Sequence, residues 1–390
     1  MSIKLLLTLF ATSTLHLLVQ AAPWGVKYSF FKRGKFDAFG WTLPNETSND
    51  GKGDGPMFNP IPSTFNPNPV YRAETEFDVD SLQVGLHQEY LELDLFNWAL
   101  VKFSEKDFTD YGLSRDEIHL ISFFAQQEIG HAEVLSNMIG ENAAKPCKYR
   151  YNFNTVGEFF DFSQRVTRYG ESGVYGFLPL LENRAVAQIL LQAISTEARQ
   201  QFAFRQLSGL FPVTQWFETG ATQAMQWTLL SQNIISCPPS NFRKPVVFPI
   251  YPRLNITNNP NPIDPNHKPA IASNRTALTA PGRRVTMNWQ DLGVPAGPYN
   301  QVTSSNAKGG PKFAAWLSQY NVTYSPLENI RGQYAETAQP DGMIFKNHGA
   351  EIINGTIFLM VTDTDLFVTP ANLSLINDHI VAGPALYVSG

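Results

Sequence analysis

Three separate stretches of this chain carry an apolar seam at helical spacing, and each seam is interrupted near its middle by one glutamate. Leu82, Leu86, Glu89, Leu93, Phe96 and Leu100 alternate steps of four and three, the spacing of one helix face. Ile118, Ile121, Ala125, Glu128, Ala132, Leu135 and Ile139 repeat the pattern, and Phe124, Glu128, His131, Leu135 and Met138 carry His131 alongside. Val186, Leu190, Ala193, Glu197, Gln200 and Phe204 repeat it again. Such faces fold by packing on one another, which predicts a mainly α protein built on a helical bundle with carboxylates inside. A buried carboxylate must be paired, neutralised or coordinated to metal. A cation shared by several carboxylates and an imidazole meets that need and suits the ligand preferences of Fe or Mn.

Glu128-Ile129-Gly130-His131 is the sharpest local signal, although composition alone supplies roughly 0.3 Glu-x-x-His matches by chance from 18 Glu and 7 His in 390 residues. Its place on a seam beside Glu89 and Glu197 is what gives it weight. The helices are predicted from Asp80-Ser81 to about Phe103, from Ser114 (with Glu117 completing a capping box) to Gly140, and from Thr155 (with Glu158) to the glycines at 170, 173 and 176. Pro179 marks a break. A fourth helix spans about Leu181 to Ser208 and stops at Gly209, and Val213 to Ile235 is a fifth helix or a broken pair. The Gly140–Thr155 connection is longer than a tight turn and long enough for a crossover.

Outside the bundle, predicted over 75–240, the sequence changes character. Residues 1–22 have the layout of a secretory signal peptide, with an apolar run from Leu5 to Val19 followed by small residues, and the run is short for spanning a bilayer. Residues 23–74 form an arm rich in Pro, Asn and Gly, in which Lys32-Arg33 is a candidate processing site or a solvated pair. Secretion favours a disulfide between Cys147 and Cys237, each beside a proline. Glycosylation sequons at Asn45, Asn255, Asn274, Asn321, Asn354 and Asn372 all avoid the bundle. Residues 241–390 read as an irregular, β-containing region that packs on the bundle or forms a small domain. Its strand-like stretches are Val285–Trp289, Met343–Lys346, Glu351–Val361, Leu366–Val368 and Ala385–Val388. A net charge of −5 without a basic cluster gives no footprint for nucleic acid. No transmembrane segment is expected after signal cleavage, and nothing fixes an oligomeric state.

These residues resemble the ferritin-like superfamily, whose di-metal sites take a Glu from each of two helices and Glu-x-x-His from the other two. More narrowly, Gln127-Glu128-Ile129-Gly130-His131-Ala132-Glu133, Gly173-Val174-Tyr175-Gly176-Phe177-Leu178-Pro179 and Ser195-Thr196-Glu197-Ala198-Arg199-Gln200-Gln201 resemble the secreted fungal stress-response proteins of the rds type. The resemblance implies a ferritin-like four-helix bundle with an extra C-terminal helix, and a link to starvation or stress. It carries metal ligation to Glu89, Glu128, His131 and Glu197. It fails at Gln200, where the second His belongs, and it leaves Glu171 a doubtful helix-three ligand with Glu182 as its fallback. Glu92, one turn beyond Glu89, supplements or replaces it.

Two functional readings stay open. In the first, a secreted or cell-surface protein binds one or two Fe or Mn ions and handles metal or oxidants under stress. In the second, it is a non-catalytic wall or spore-surface glycoprotein on a metal-free scaffold, with Glu128, His131, Glu197, Arg199 and Gln200 closed into a polar network around the Arg199 charge. His87 and His119 are expected at the surface or in packing. No nucleophile elbow, phosphate loop, zinc spacing or haem attachment motif is present.

Overall fold

The computed structural model describes residues 71–345 and 348–390. The signal sequence, the Lys32-Arg33 pair, Asn45 and the arm up to residue 70 lie outside the described residues. Helix α1 (Glu76–Lys102) begins five residues before the predicted Asp80-Ser81 start, because Thr75 is its N-cap and accepts from Asp78 N at 3.1 Å. Asp78 is buried and accepts from the backbone N–H groups of Glu74 and Glu182, fastening the start of α1 to the chain before the fifth helix. A short helix the periodicity did not reveal, α2 (Glu105–Tyr111), follows on a Ser104/Asp107 capping box.

Helix α3 (Arg115–Ile139) has the expected Ser114/Glu117 capping box and ends at Gly140. Helix α4 (Val156–Phe177) has the Thr155/Glu158 box and runs through all three glycines. Helix α5 (Arg184–Leu207) is capped by Asn183, which accepts from Ala185 N and Val186 N, and the chain turns at Gly209 with φ +66°. Of the predicted 213–235 helix only α6 (Gln223–Leu230) forms, since Val213–Ala221 is a loop and Ile234–Ser236 is a strand.

Helix α1 packs on α3 and α4 on α5, while α1 also lies against α4. The 143–155 segment therefore carries the chain from one helix pair to the other. Its start is pinned by Gln83, whose side chain donates to Asn142 O at 2.6 Å and accepts from Ala144 N at 3.1 Å. Cys147 and Cys237 form the expected disulfide across 90 residues. Among the described residues no helix is long and apolar enough to cross a membrane.

The C-terminal region is more regular than its composition suggested. Leu254–Ile256, Arg284–Trp289, Tyr334–Ala338 and Glu328–Arg331 form one four-stranded antiparallel sheet, and Ile380–Val388, Thr356–Thr362, Phe313–Ser318 and Asn321–Pro326 form another. Period-2 alternation explains the layering. Ala314, Trp316, Ile357, Leu359, Val361 and Tyr387 face the first sheet, whereas Ala315, Leu317, Phe358, Met360 and Leu386 join the core of the helices. The Thr356–Thr362 strand is consequently buried along its whole length. Leu366–Val368 is not a strand and leads into the 3-10 turn Pro370–His379.

Sequon positions differ in suitability for a glycan. Asn255 and Asn274 are exposed, and Asn321 and Asn372 are half-buried. Asn354 Nδ2 instead donates to Thr214 O at 2.9 Å, and its sequon residue Thr356 is buried beneath Gln164.

Candidate metal centre

Glu89 from α1, Glu128 and His131 from α3, and Glu197 from α5 converge, each with a ligand atom within 4.8 Å of the others. Helical geometry places Glu128 and His131 together, because residues three apart share a face. His131 Nδ1 lies 2.9 Å from Glu128 Oε2, 3.2 Å from Glu89 Oε2 and 3.9 Å from Glu197 Oε1. All three carboxylates are buried. Phe96, Phe124 and Phe204, with ring centroids 5.3 to 6.2 Å apart, close the interior on the same three helices.

Thr196 sets the orientation of the imidazole. Its Oγ1 donates to Ala193 O at 2.8 Å and so accepts from His131 Nε2–H at 3.1 Å. Nδ1 is thereby aimed at the carboxylates, where it holds a proton between Glu128 and Glu89 in the metal-free chain or offers its lone pair to a cation.

The electrostatics show how much charge this core has to manage. Burial pushes the Glu89 carboxyl up to about 7, against the opposing pull of His131. Burial and the surrounding Glu89, Glu92, Glu128 and Glu171 carboxylates push Glu197 well above the ordinary range. Burial, then Glu128 and Glu89, does the same to Glu92. Burial opposes ionisation of Glu128 too, but His131 outweighs it and holds that carboxyl below its usual value. His131 is raised well above the usual imidazole value, because Glu128 and Glu89 overcome its burial.

Glu92, buried beside this group, accepts from Thr167 Oγ1 at 2.5 Å but is not one of the four converging residues. Glu171 is also buried, yet its Oε1 accepts from Arg168 Nη1 at 2.7 Å, and it stands outside the four as well. Gln200 donates from Nε2 to Glu128 Oε1 at 2.5 Å. Two expectations are corrected. Glu182 is exposed just before the Asn183 cap and cannot serve as the fallback ligand. Arg199 is exposed, so it does not neutralise the carboxylates; two residues from Glu197, it points away from the seam.

Sequence reasoning missed Arg168, a buried guanidinium of this region. Its signal was available, since an arginine three residues before a core glutamate shares its face. His87 is a packing residue, buried with Nε2 2.8 Å from Tyr299 Oη and its ring against Trp227. His119 is half-buried on α3.

The donor set fits a divalent first-row metal: three carboxylates and one oriented imidazole nitrogen, with both cysteines committed to the disulfide. Glu92 Oε2, Glu197 Oε2 and Gln200 Oε1 are buried without a hydrogen-bond partner among the described residues, which a cation at this place would help to satisfy. Residues 77–210 match the family model of a ferritin-like domain. The chain is also 44% identical over 353 residues to Protein rds1 of Schizosaccharomyces pombe, spanning 85% of this chain and 87% of that one.

Proposed function

Because the chain belongs to the rds1 family and contains a ferritin-like domain, we propose that it is a stress-related protein that binds Fe or Mn at Glu89, Glu128, His131 and Glu197. The observation that carries this reading is the convergence of three buried carboxylates on His131 Nδ1, with Glu197 Oε2 left unpartnered among the described residues. An isolated group of this kind is costly to bury, whereas a shared cation turns its charges into ligands. A bound Fe or Mn ion would supply redox and Lewis-acid chemistry suited to metal or oxidant handling. The chain's own residues would orient that ion, since Thr196 fixes the imidazole and Glu89, Glu128 and Glu197 converge on it. The signal-like N-terminus and the Cys147–Cys237 disulfide support secretion or surface display. Exposed sequons at Asn255 and Asn274 are compatible with a glycosylated, wall-associated form.

Metal analysis of protein purified without chelator tests this directly. A stoichiometric Fe or Mn content, restored by reconstitution after stripping, is the expected result. Less than about a tenth of an equivalent before and after reconstitution would sink the proposal. The Gln200–Glu128 hydrogen bond favours the second reading, a metal-free glycoprotein scaffold, and that outcome would select it.

A further inference from the structure

A two-ion ferritin-like centre needs a Glu from each of two helices and Glu-x-x-His from the other two. Helices α1 and α3 supply one half in Glu89, Glu128 and His131. The other half falls to Glu171 on α4 and to Glu197 and Gln200 on α5, and here the chain departs from the pattern at two places. Gln200 presents an N–H donor to Glu128 where a histidine ligand would stand. Glu171 is held by Arg168 and lies outside the converging four.

Arg168 is fixed in that position from every side. Nε donates to Thr356 O at 3.0 Å, Nη1 to Glu171 and Glu218, and Nη2 to Gln215 and to Thr219 Oγ1 at 3.1 Å. These bonds use all five N–H donors of a guanidinium, so the group has no spare donor drawing it elsewhere. It is buried at 4% exposure. A fixed cation beside Glu171, shared with Glu218, repels a second positive charge, and at low local dielectric that effect is strong.

We infer that the Arg168 guanidinium stands in for the second metal ion of the bundle, so that this centre takes one divalent cation, held by Glu89, Glu128, His131 and Glu197. The inference rests on the metal-binding reading above. It also gives the C-terminal sheets a part in the centre, since Arg168 is anchored to Thr356, and Thr219 accepts from Gln319 N. The second position is thus set by contacts made 188 residues away in sequence.

Reconstitution of the stripped, full-length protein with Mn2+, read by metal analysis and electron paramagnetic resonance, tests it. Wild type is expected to hold one Mn per chain with the spectrum of an isolated ion. Glu171→Gln is expected to hold one as well, with affinity changed less than the roughly 10–100-fold typical of losing a group that supports a ligand. Two Mn per chain, a spin-coupled spectrum in wild type, or loss of the ion in Glu171→Gln would overturn the inference while leaving the metal reading intact. No bound Mn in wild type would overturn the metal reading itself, and the inference with it. The wild-type stoichiometry and spectrum decide the matter even if the variant fails to fold.

Discussion

Metal-free protein is expected to lose stability as pH rises from about 5 to about 8, by on the order of 3 kcal/mol from Glu89 alone. That carboxyl moves from its ordinary 4.5 to about 7, chiefly through burial. Between those values the folded chain keeps a proton that the unfolded chain releases, so the stabilisation is complete below 4.5 and is lost as pH rises through about 7. Glu92 and Glu197, both raised first by burial and then by neighbouring carboxylates, contribute with the same sign. His131 is also raised, so its contribution is full below the ordinary imidazole value and is lost as pH rises through its shifted one. Glu128 runs the other way. Its carboxyl is depressed, and the stability it contributes is lost only as pH falls through that lowered value, on the acid side of this window.

Urea unfolding at both ends of the window, with stripped and Mn-loaded protein, measures the effect. Loaded protein should show a flattened or reversed slope, because coordination keeps the ligands deprotonated and binding strengthens with pH. Stability of the stripped protein that rises between pH 5 and 8 would contradict the charge distribution described above.

Alanine at Gly176 is expected to cost about 3 kcal/mol or more and to yield poorly folded protein. A Cβ there would sit 2.6 Å from the Ala221 carbonyl carbon and closer still to its oxygen, in a loop fastened to α4 by Ala221 N donating to Ser172 O at 2.7 Å. Backbone must move to admit it. At Gly170 a Cβ would lie 2.6 Å from Gln88 Nε2, and at Gly173 it would meet the Gln226 side chain, which flexes more easily. The three glycines thus form the stripe on which α1, α6 and the loop before α6 approach α4. Gly130 is the control. Nothing lies within 4 Å of its added Cβ, and it is exposed on a helix, so alanine there should be neutral or stabilising by up to about 1 kcal/mol. Thermal melts of the two variants should separate widely; equal melting temperatures would refute the close approach at Gly176.

The four converging residues were legible because a helix turns a 3.6-residue period into a face, so Glu89, Glu128 and Glu197 had to point inward. Gln200 was equally legible as the departure from the superfamily pattern. The fate of Glu171 was legible only by half, because Arg168 three residues before it shares its face but the loop and strand residues that hold this guanidinium are distant in sequence. The C-terminal sheets were legible in part. Val285–Trp289, Glu351–Val361 and Ala385–Val388 fall on observed strands, whereas Phe313–Ser318, covered on both faces, shows no apolar–polar alternation, and short strands such as Leu254–Ile256 stand alone in Pro/Asn-rich sequence. The glycines of α4 were read as the end of the helix because their use, close approach by another segment, has no local signature. One consequence is practical. Deleting residues 240–390 strips Phe358, Met360 and Leu386 from the helical core and Thr356 from Arg168, so such a truncation reports on folding before it reports on function.

The central claim is that a divalent cation occupies the space bounded by His131 Nδ1 and the carboxylates of Glu89, Glu128 and Glu197. Anomalous diffraction from Mn-reconstituted crystals at the Mn edge locates such an ion without reference to activity. A single strong peak in contact with those four residues, and none beside Arg168, is the expected result. A peak elsewhere in the chain, or none with Gln200 still bonded to Glu128, would contradict it.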